Sequence, residues 1–122
     1  MPSDFRLTNA TFDDVPMLQL GGNLTFGQSI SSLHDAAHQL RGHTLIVLDL
    51  TDVETVDSTG ISALIDARRT LGAASRVVLL CAPTRLRTSL DVARVADLFE
   101  LVDDEQGLRS VLGRWRGEMK GR

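Results

Sequence analysis

One short stretch of the chain concentrates the residues whose types could support chemistry. Four acids, Asp49, Asp52, Glu54 and Asp57, are followed directly by Ser58. Carboxylates suit hard cations such as Mg²⁺, but this spacing matches no calcium-binding loop. A serine beside an aspartate can be a nucleophile, a helix cap or a phosphoacceptor. These roles require different surroundings, which the rest of the sequence helps to define.

Catalysis and metal binding both fit these residues poorly. Ser58 lies in no Gly-x-Ser-x-Gly turn. The run Asp57-Ser58-Thr59-Gly60 has one residue more than the Asp-Ser-Gly or Asp-Thr-Gly of aspartic proteases, and no glycine-rich nucleotide loop is present. His34 and His38 lie one helical turn apart, but no cysteine or intervening glutamate completes a zinc pattern. We therefore expect no catalytic residue, no cofactor and no metal site.

The elements on either side of this stretch predict where it lies. Residues 45–50 form a continuous apolar run, which is typical of a central strand covered on both faces. Residues 51–57 are read as a polar loop. Ile61, Leu64, Ile65 and Leu71 then give a helical stripe that ends before Gly72. Because ligands and partners favour the carboxyl ends of strands in such sheets, the loop is well placed for function.

The remaining pattern alternates strands with helices. Strands are predicted over 5–7, 15–20 (with extension resuming over 24–26), 76–81 and 98–102, with a turn at Asp13 and Asp14. Helices are predicted from Gln28 or Ser29 to before Gly42, after Pro83 with Leu86, Leu90 and Ala93 inward, and around Trp115. Parallel pairs with an antiparallel opening portion indicate an α/β fold with a mixed central sheet and about four helices.

Composition limits the class of protein. The chain has 122 residues, 43% hydrophobic and 24% charged, with a net charge of −3. We expect one domain over 1–122, a core from about 5 to 115 and a frayed tail at 117–122. The single cysteine, Cys81, and the lack of a long apolar segment predict a cytoplasmic protein without a membrane anchor. Mild acidity and few aromatics argue against nucleic-acid binding, and Cys81 is read as a small core residue.

Two interpretations of Ser58 remain open on residue types alone. Asp57, Ser58 and Thr59 are all types that cap helices, so capping explains part of the pattern. Alternatively, Ser58 is exposed at a helix start and accepts a phosphoryl group, which adds roughly −1.5 to −2 charge. Thr59 is a second candidate acceptor, with capping as its first role.

The sequence resembles the STAS domain of bacterial anti-sigma factor antagonists from about residue 15 to residue 111. The most specific part is Leu48-Asp49-Leu50, six further residues, and then Asp57-Ser58-Thr59-Gly60. The strand at 76–81 and the segment from Leu98 to Glu105 support it. The resemblance implies the STAS fold and a protein that binds an anti-sigma factor and so frees a sigma factor.

The same resemblance implies a regulatory cycle. The anti-sigma factor would also be a serine kinase that phosphorylates Ser58, which abolishes binding, and a serine phosphatase would restore it. The implied partner-binding residues are Asp57, Ser58, Thr59 and Gly60, together with Thr25 and Asp52. A homodimer is a further expected partner state. The alternative is a STAS scaffold subunit of a large stress-sensing complex, phosphorylated at the same place.

Overall fold

The computed structural model describes residues 5–120. In chain order the elements are β1 (Arg6–Phe12), β2 (Val15–Leu24), α1 (Gln28–Gln39), β3 (Leu45–Val56), α2 (Ser58–Leu71), β4 (Arg76–Leu80), α3 (Thr84–Val92), a 3₁₀ turn (Ala96–Leu98), β5 (Glu100–Val102) and α4 (Glu105–Lys120). The five strands form one sheet in the order β1-β2-β3-β4-β5. β1 is antiparallel to β2 and the other pairs are parallel. The predicted α/β class with a mixed sheet and four α-helices is confirmed.

The opening hairpin is longer than the sequence pattern indicates. β1 begins near the predicted place but runs to Phe12, which pairs with Val15. Asp13 and Asp14 have φ values of 49° and 68°, so both take the left-handed conformation of a tight hairpin turn. β2 continues through the two glycines to Leu24, so the predicted strand over 15–20 and the start of the extension at 24–26 are one strand. Thr25 and Phe26 lie beyond its end.

The predicted loop over 51–57 is wrong, because β3 runs unbroken from Leu45 to Val56. The lengthened β2 lies beside this part of β3, pairing Gly21 with Asp52 and Leu24 with Val56. Hydrogen bonds to β2 therefore hold polar residues in a strand. As predicted, β3 is the central strand of the sheet.

Three helices cover one face of the sheet. Leu33 of α1, Leu64 of α2 and Leu86 of α3 are fully buried in the cluster that also contains Ile46 and Leu48 of β3. Their apolar positions recur three and four residues apart, as one face of a helix requires. α2 therefore lies on the sheet with its opposite face available to solvent.

α4 covers the other face, as the stripe ending at Trp115 predicts. Trp115 is buried in the cluster that includes Val47 and Val78, and Arg76 lies over its ring at 5.5 Å. Arg76 also pairs with Glu118. α4 continues to Lys120, past Gly117, where the tail was predicted to begin fraying, and this ion pair lies in that last part of the helix. Residues 121–122 of the predicted tail lie outside the described residues.

Basic residues of α4 also reach across the sheet. Arg114 bonds Glu100 at 2.5 Å, and Arg109 lies 3.8 Å from Asp13 while its guanidinium covers the ring of Phe12. These contacts pair two arginines of α4 with acids elsewhere in the fold. Within residues 5–120, none of the helices has the length and the apolar run that crossing a bilayer requires.

Three smaller predictions need correction. β4 ends at Leu80, so Cys81, with φ at 58°, lies in the turn after the strand, half-buried and packed against the edge of the core. α3 ends at Val92, which leaves Ala93 exposed instead of inward. The predicted strand over 98–102 is shortened to Glu100–Val102, because the 3₁₀ turn takes up Leu98.

Candidate functional site

The carboxyl ends of β2 and β3 meet the beginning of α2 at one edge of the sheet. Leu24, the last residue of β2, pairs with Val56, the last residue of β3. The amide of Asp57 then donates to the carbonyl of Leu24 at 3.4 Å, and the chain turns into α2 at Ser58. The start of α2 is therefore fixed relative to both strands.

Asp57 caps α2 and also contacts the segment that follows β2. Its Oδ1 accepts a hydrogen bond from the Gly60 amide at 2.8 Å, which confirms the capping interpretation for this residue. Its Oδ2 accepts from the Phe26 amide at 3.1 Å. Both bonds favour the charged carboxylate, and the Gly60 bond, followed by the Phe26 bond, holds the pKa of Asp57 below its ordinary value. Asp57 is therefore negatively charged at neutral pH.

Gly60 lies where α2 touches the end of β2. A Cβ placed on Gly60 would stand 3.0 Å from the carbonyl carbon of Leu24 and nearer still to its oxygen. Only a residue without a side chain permits this approach. Gly60 is buried, so its part in the site is to let the helix start press against the strand end.

Ser58 is the first residue of α2 and its side chain is exposed, whereas Thr59 is half-buried. The Ser58 hydroxyl is thus presented to solvent beside the charged carboxylate of Asp57. A macromolecule approaching this edge of the sheet can reach it. The deep burial that would have ruled out its modification is not found.

Thr25 lies on the far side of Asp57, in the segment between β2 and α1. The Ser29 hydroxyl donates to the Thr25 carbonyl at 2.5 Å and accepts from the Thr25 amide at 3.2 Å. Ser29 is itself buried. The structure therefore brings Thr25 close to Asp57 through its neighbour Phe26, although both backbone groups of Thr25 are used within the fold.

Asp52 is not brought to the start of α2. It lies within β3, exposed and paired with Gly21, five residues before Asp57. At roughly 3.3 Å per residue, it stands about 16 Å away along the strand. The prediction that grouped Asp52 with Ser58 assumed a compact loop, and the extended strand separates them.

The same extension separates the four acids. Asp49 accepts hydrogen bonds from the Thr51 amide at 3.0 Å and from its hydroxyl at 2.5 Å, so it braces the strand locally. Among residues 5–120, no three His, Cys, Asp or Glu side chains are arranged to hold a metal ion.

His34 and His38 are exposed on α1, and their stacked rings have centroids 6.4 Å apart.

A groove beside Ser58 was not foreseen from the sequence. It lies between α2 and α3, has a volume of about 430 Å³, and is lined by Ser58, Ile61 and Ile65 of α2 and by Val92 of α3, among others. Val92 is 79% exposed. The sequence held one sign of this groove. Val92 does not share the helix face of Leu86 and Leu90, so its side chain is directed away from the core. The exposed serine thus borders an apolar surface.

Comparisons with known proteins agree with this architecture. The family model of the STAS domain matches residues 7–108. A search of curated protein sequences found no significant match. The solved structure of the anti-sigma factor antagonist SpoIIAA in its unphosphorylated form is 19% identical, with a TM-score of 0.67, over 93% of this chain and 99% of that one.

Two further solved structures are similar. An anti-sigma factor antagonist from Mycobacterium paratuberculosis has a TM-score of 0.73 at 18% identity, over 91% of this chain and 97% of that chain. The phosphorylated form of SpoIIAA, a Bacillus cell fate determinant, has a TM-score of 0.67 at 18% identity, over 88% of this chain and 99% of that chain. At these identities the likeness establishes the fold. Because the family model covers most of the chain, this protein belongs to the STAS domain family.

Proposed function

We propose that this protein is an anti-sigma factor antagonist, a non-catalytic module that binds an anti-sigma factor and thereby releases a sigma factor. Its docking surface comprises the start of α2, the neighbouring Thr25 segment and the groove between α2 and α3. The observation that supports this most is the exposure of Ser58 beside that groove. The fold shared with solved anti-sigma factor antagonists is consistent with it.

In this proposal Ser58 is the phosphoacceptor. The anti-sigma factor is also a serine kinase and transfers the γ-phosphoryl group of ATP to Ser58 Oγ. An O–P bond forms at the serine, the bond to the departing ADP breaks, and the hydroxyl proton passes to a base of the kinase. A serine phosphatase hydrolyses the new bond with water and returns inorganic phosphate. ATP therefore belongs to the partner's chemistry.

Phosphorylation ends binding for an electrostatic reason. The phosphoryl group adds roughly −1.5 to −2 charge next to the carboxylate of Asp57. A partner that covers Ile61, Ile65 and Val92 would have to desolvate this charge against an apolar surface, which is costly. At the amino terminus of α2 the helix dipole favours the same charge. The fold is thus retained while docking is lost.

The proposed cycle takes place in the cytoplasm. Asp57 and Gly60 act by shaping the helix start that the partner meets, and the half-buried Thr59 is a poorer acceptor than Ser58. Asp52, at a distance along β3, is at most a peripheral contact. A homodimer stays a further predicted partner state, and the proposal does not require it.

The experiment is a phosphorylation assay with matched serine variants. The purified protein is incubated with ATP and the purified serine-kinase anti-sigma factors of the source organism, and the modified residue is mapped by mass spectrometry. Ser62 is the control, because it is exposed one turn later on α2 and lines the same groove. We expect Ser58→Ala to abolish phosphorylation and Ser62→Ala to leave it intact. Incorporation that persists in Ser58→Ala would contradict the assignment.

A further inference from the structure

Among the described residues, the large hydrophobic side chains that are exposed belong to two segments that adjoin the start of α2. Phe26 is 84% exposed and Val92 is 79% exposed. Val92 lines the groove that contains Ser58, whereas the Phe26 amide is bonded to Asp57, the residue before Ser58. Single exposed hydrophobics need no explanation. Phe26 and Val92, however, lie on the α1 side and the α3 side of the same helix start, and we take them as parts of one surface around it.

The backbone that carries Phe26 is held on both sides. Before it, both backbone polar groups of Thr25 are bonded to the buried hydroxyl of Ser29. Its own amide donates to Asp57 Oδ2 at 3.1 Å. After it, Gly27 turns the chain into α1 with φ at 129°, a conformation that L side chains rarely adopt. The loop is thus preorganised, and it presents an aromatic ring to solvent.

We propose that Phe26 is the aromatic residue that enters an apolar pocket of the anti-sigma factor, and that Asp57 is the positioning residue that holds it in place. This inference rests on the proposed function, because the partner is the same. It deepens that proposal by assigning one side chain, Phe26, to the Thr25 segment of the docking surface, on the α1 side of Ser58 and separate from the groove on the α3 side. Aromatic side chains contribute strongly to the free energy of protein–protein binding, because they bury a large rigid area at small entropic cost.

The charges around Phe26 favour a protein pocket over a lipid surface. Residues 24–29 carry no basic side chain, and the group bonded to the Phe26 amide is the negatively charged Asp57. Anionic membranes attract clusters of Lys and Arg, which this loop lacks. An aromatic ring on a preordered loop avoids the ordering cost of binding and suits a matching apolar pocket.

Affinity measurements test the role of Phe26. Calorimetric titrations use the purified serine-kinase anti-sigma factor that phosphorylates the protein, and compare the wild type with Phe26→Ala, Phe26→Leu and Gln28→Ala. We expect Phe26→Ala to weaken binding about 30-fold or more, the size of a hot-spot truncation. Phe26→Leu should retain most of the wild-type affinity. Gln28→Ala removes an exposed side chain of the same segment and should bind like the wild type.

Amide exchange tests the role of Asp57. Asn caps helices as well as Asp does, so Asp57→Asn should keep the Gly60 amide protected. Its side-chain NH₂ cannot accept the second hydrogen bond, so the Phe26 amide should exchange faster. We expect this variant to raise the KM for phosphorylation of Ser58 with little change in kcat, because it disturbs recognition rather than the reacting hydroxyl. A purely structural role would speed exchange of the Phe26 amide and leave the KM unchanged, and that result would overturn the positioning role of Asp57.

The outcomes separate this inference from the proposed function. Equal affinity of Phe26→Ala and the wild type, with binding abolished in Ser58→Asp, would overturn the role of Phe26 and leave the antagonist function standing. Binding unaffected by Ser58→Asp would instead remove the proposed function. If Phe26→Ala changes self-association in sedimentation but not affinity for the anti-sigma factor, the ring contacts a second copy and the inference is wrong.

Discussion

Replacing Gly60 with alanine tests the close approach that positions the start of α2. The added Cβ would lie 3.0 Å from the carbonyl carbon of Leu24 and nearer to its oxygen, whereas ordinary contacts of a Cβ are 3.4–4 Å. The added Cβ is fixed to the backbone of α2, and the Leu24 atoms that it meets are backbone atoms at the end of β2, so no flexible side chain can move aside. The helix and the strand must therefore move apart by more than a few tenths of an ångström, because the Leu24 oxygen is the nearer of the two atoms.

The energetic cost follows from three contributions. Overpacking of this kind costs about 1–3 kcal/mol. The 3.4 Å bond from the Asp57 amide to Leu24 is already long, and its loss costs about 0.5–1.5 kcal/mol. Against this, alanine gains about 1 kcal/mol over glycine inside a helix. We expect Gly60→Ala to lower the free energy of unfolding by about 0.5–3.5 kcal/mol out of a typical 5–15.

Gly113→Ala is the matched control. Gly113 is exposed within α4, and nothing lies within 4 Å of its added Cβ. This variant should raise the free energy of unfolding by up to about 1 kcal/mol. Urea unfolding measures both. If Gly60→Ala is as stable as the wild type, or is stabilised like Gly113→Ala, the packing described at the start of α2 is wrong.

Three further predictions concern the pH response and the core. The pKa of Asp57 is lower in the folded state than in the unfolded state. The charged Asp57 carboxylate therefore stabilises the fold fully at pH values above its unfolded-state pKa, and this stabilisation is lost as the pH falls through its folded-state pKa. Unfolding free energy measured below about pH 4 should therefore fall more steeply in the wild type than in Asp57→Asn; parallel curves would contradict this. Leu64→Ala should cost about 2–5 kcal/mol in urea unfolding, since Leu64 is fully buried, and a cost below 1 kcal/mol would argue against that burial. Ser75→Ala should cost about 1 kcal/mol by the same assay, because the buried Ser75 hydroxyl donates its one proton to the His43 carbonyl at 2.6 Å, with the Leu71 carbonyl at 3.0 Å as a second acceptor; no change would show that this bonding adds nothing.

The second half of β3 shows where sequence patterns mislead. Leu50, Val53 and Val56 all point into the core under α2, yet they are spaced by three rather than by two. The register with β2 shifts between Gln19 and Gly21 and again between Gly22 and Asn23, so β3 carries an extra residue at each step. These bulges reset the alternation of faces. Without knowledge of β2, such a segment reads as a polar loop.

The site was predicted in part for a related reason. The cap at Asp57 follows from residue type and from the helix that comes after it, and both are local. The contact between Asp57 and Phe26 joins residues that are distant in the chain, and it depends on β2 and β3 ending together. Residues 24–26 were expected to continue as a strand, which hides the turn that exposes Phe26. The core strands and helix stripes depend mainly on apolar spacing, which the sequence displays directly.

Phosphorylation at Ser58 is expected to act as a switch of recognition that leaves the fold unchanged. The direct measurement is a calorimetric titration of the purified anti-sigma factor with the unmodified protein and with protein fully phosphorylated at Ser58. We expect the phosphorylated form to bind about 100-fold more weakly or worse, equivalent to leaving an unpaired charge worth about 3 kcal/mol in the interface. Its circular dichroism and unfolding midpoint should stay close to those of the unmodified protein. Equal affinities for the two forms would contradict the account.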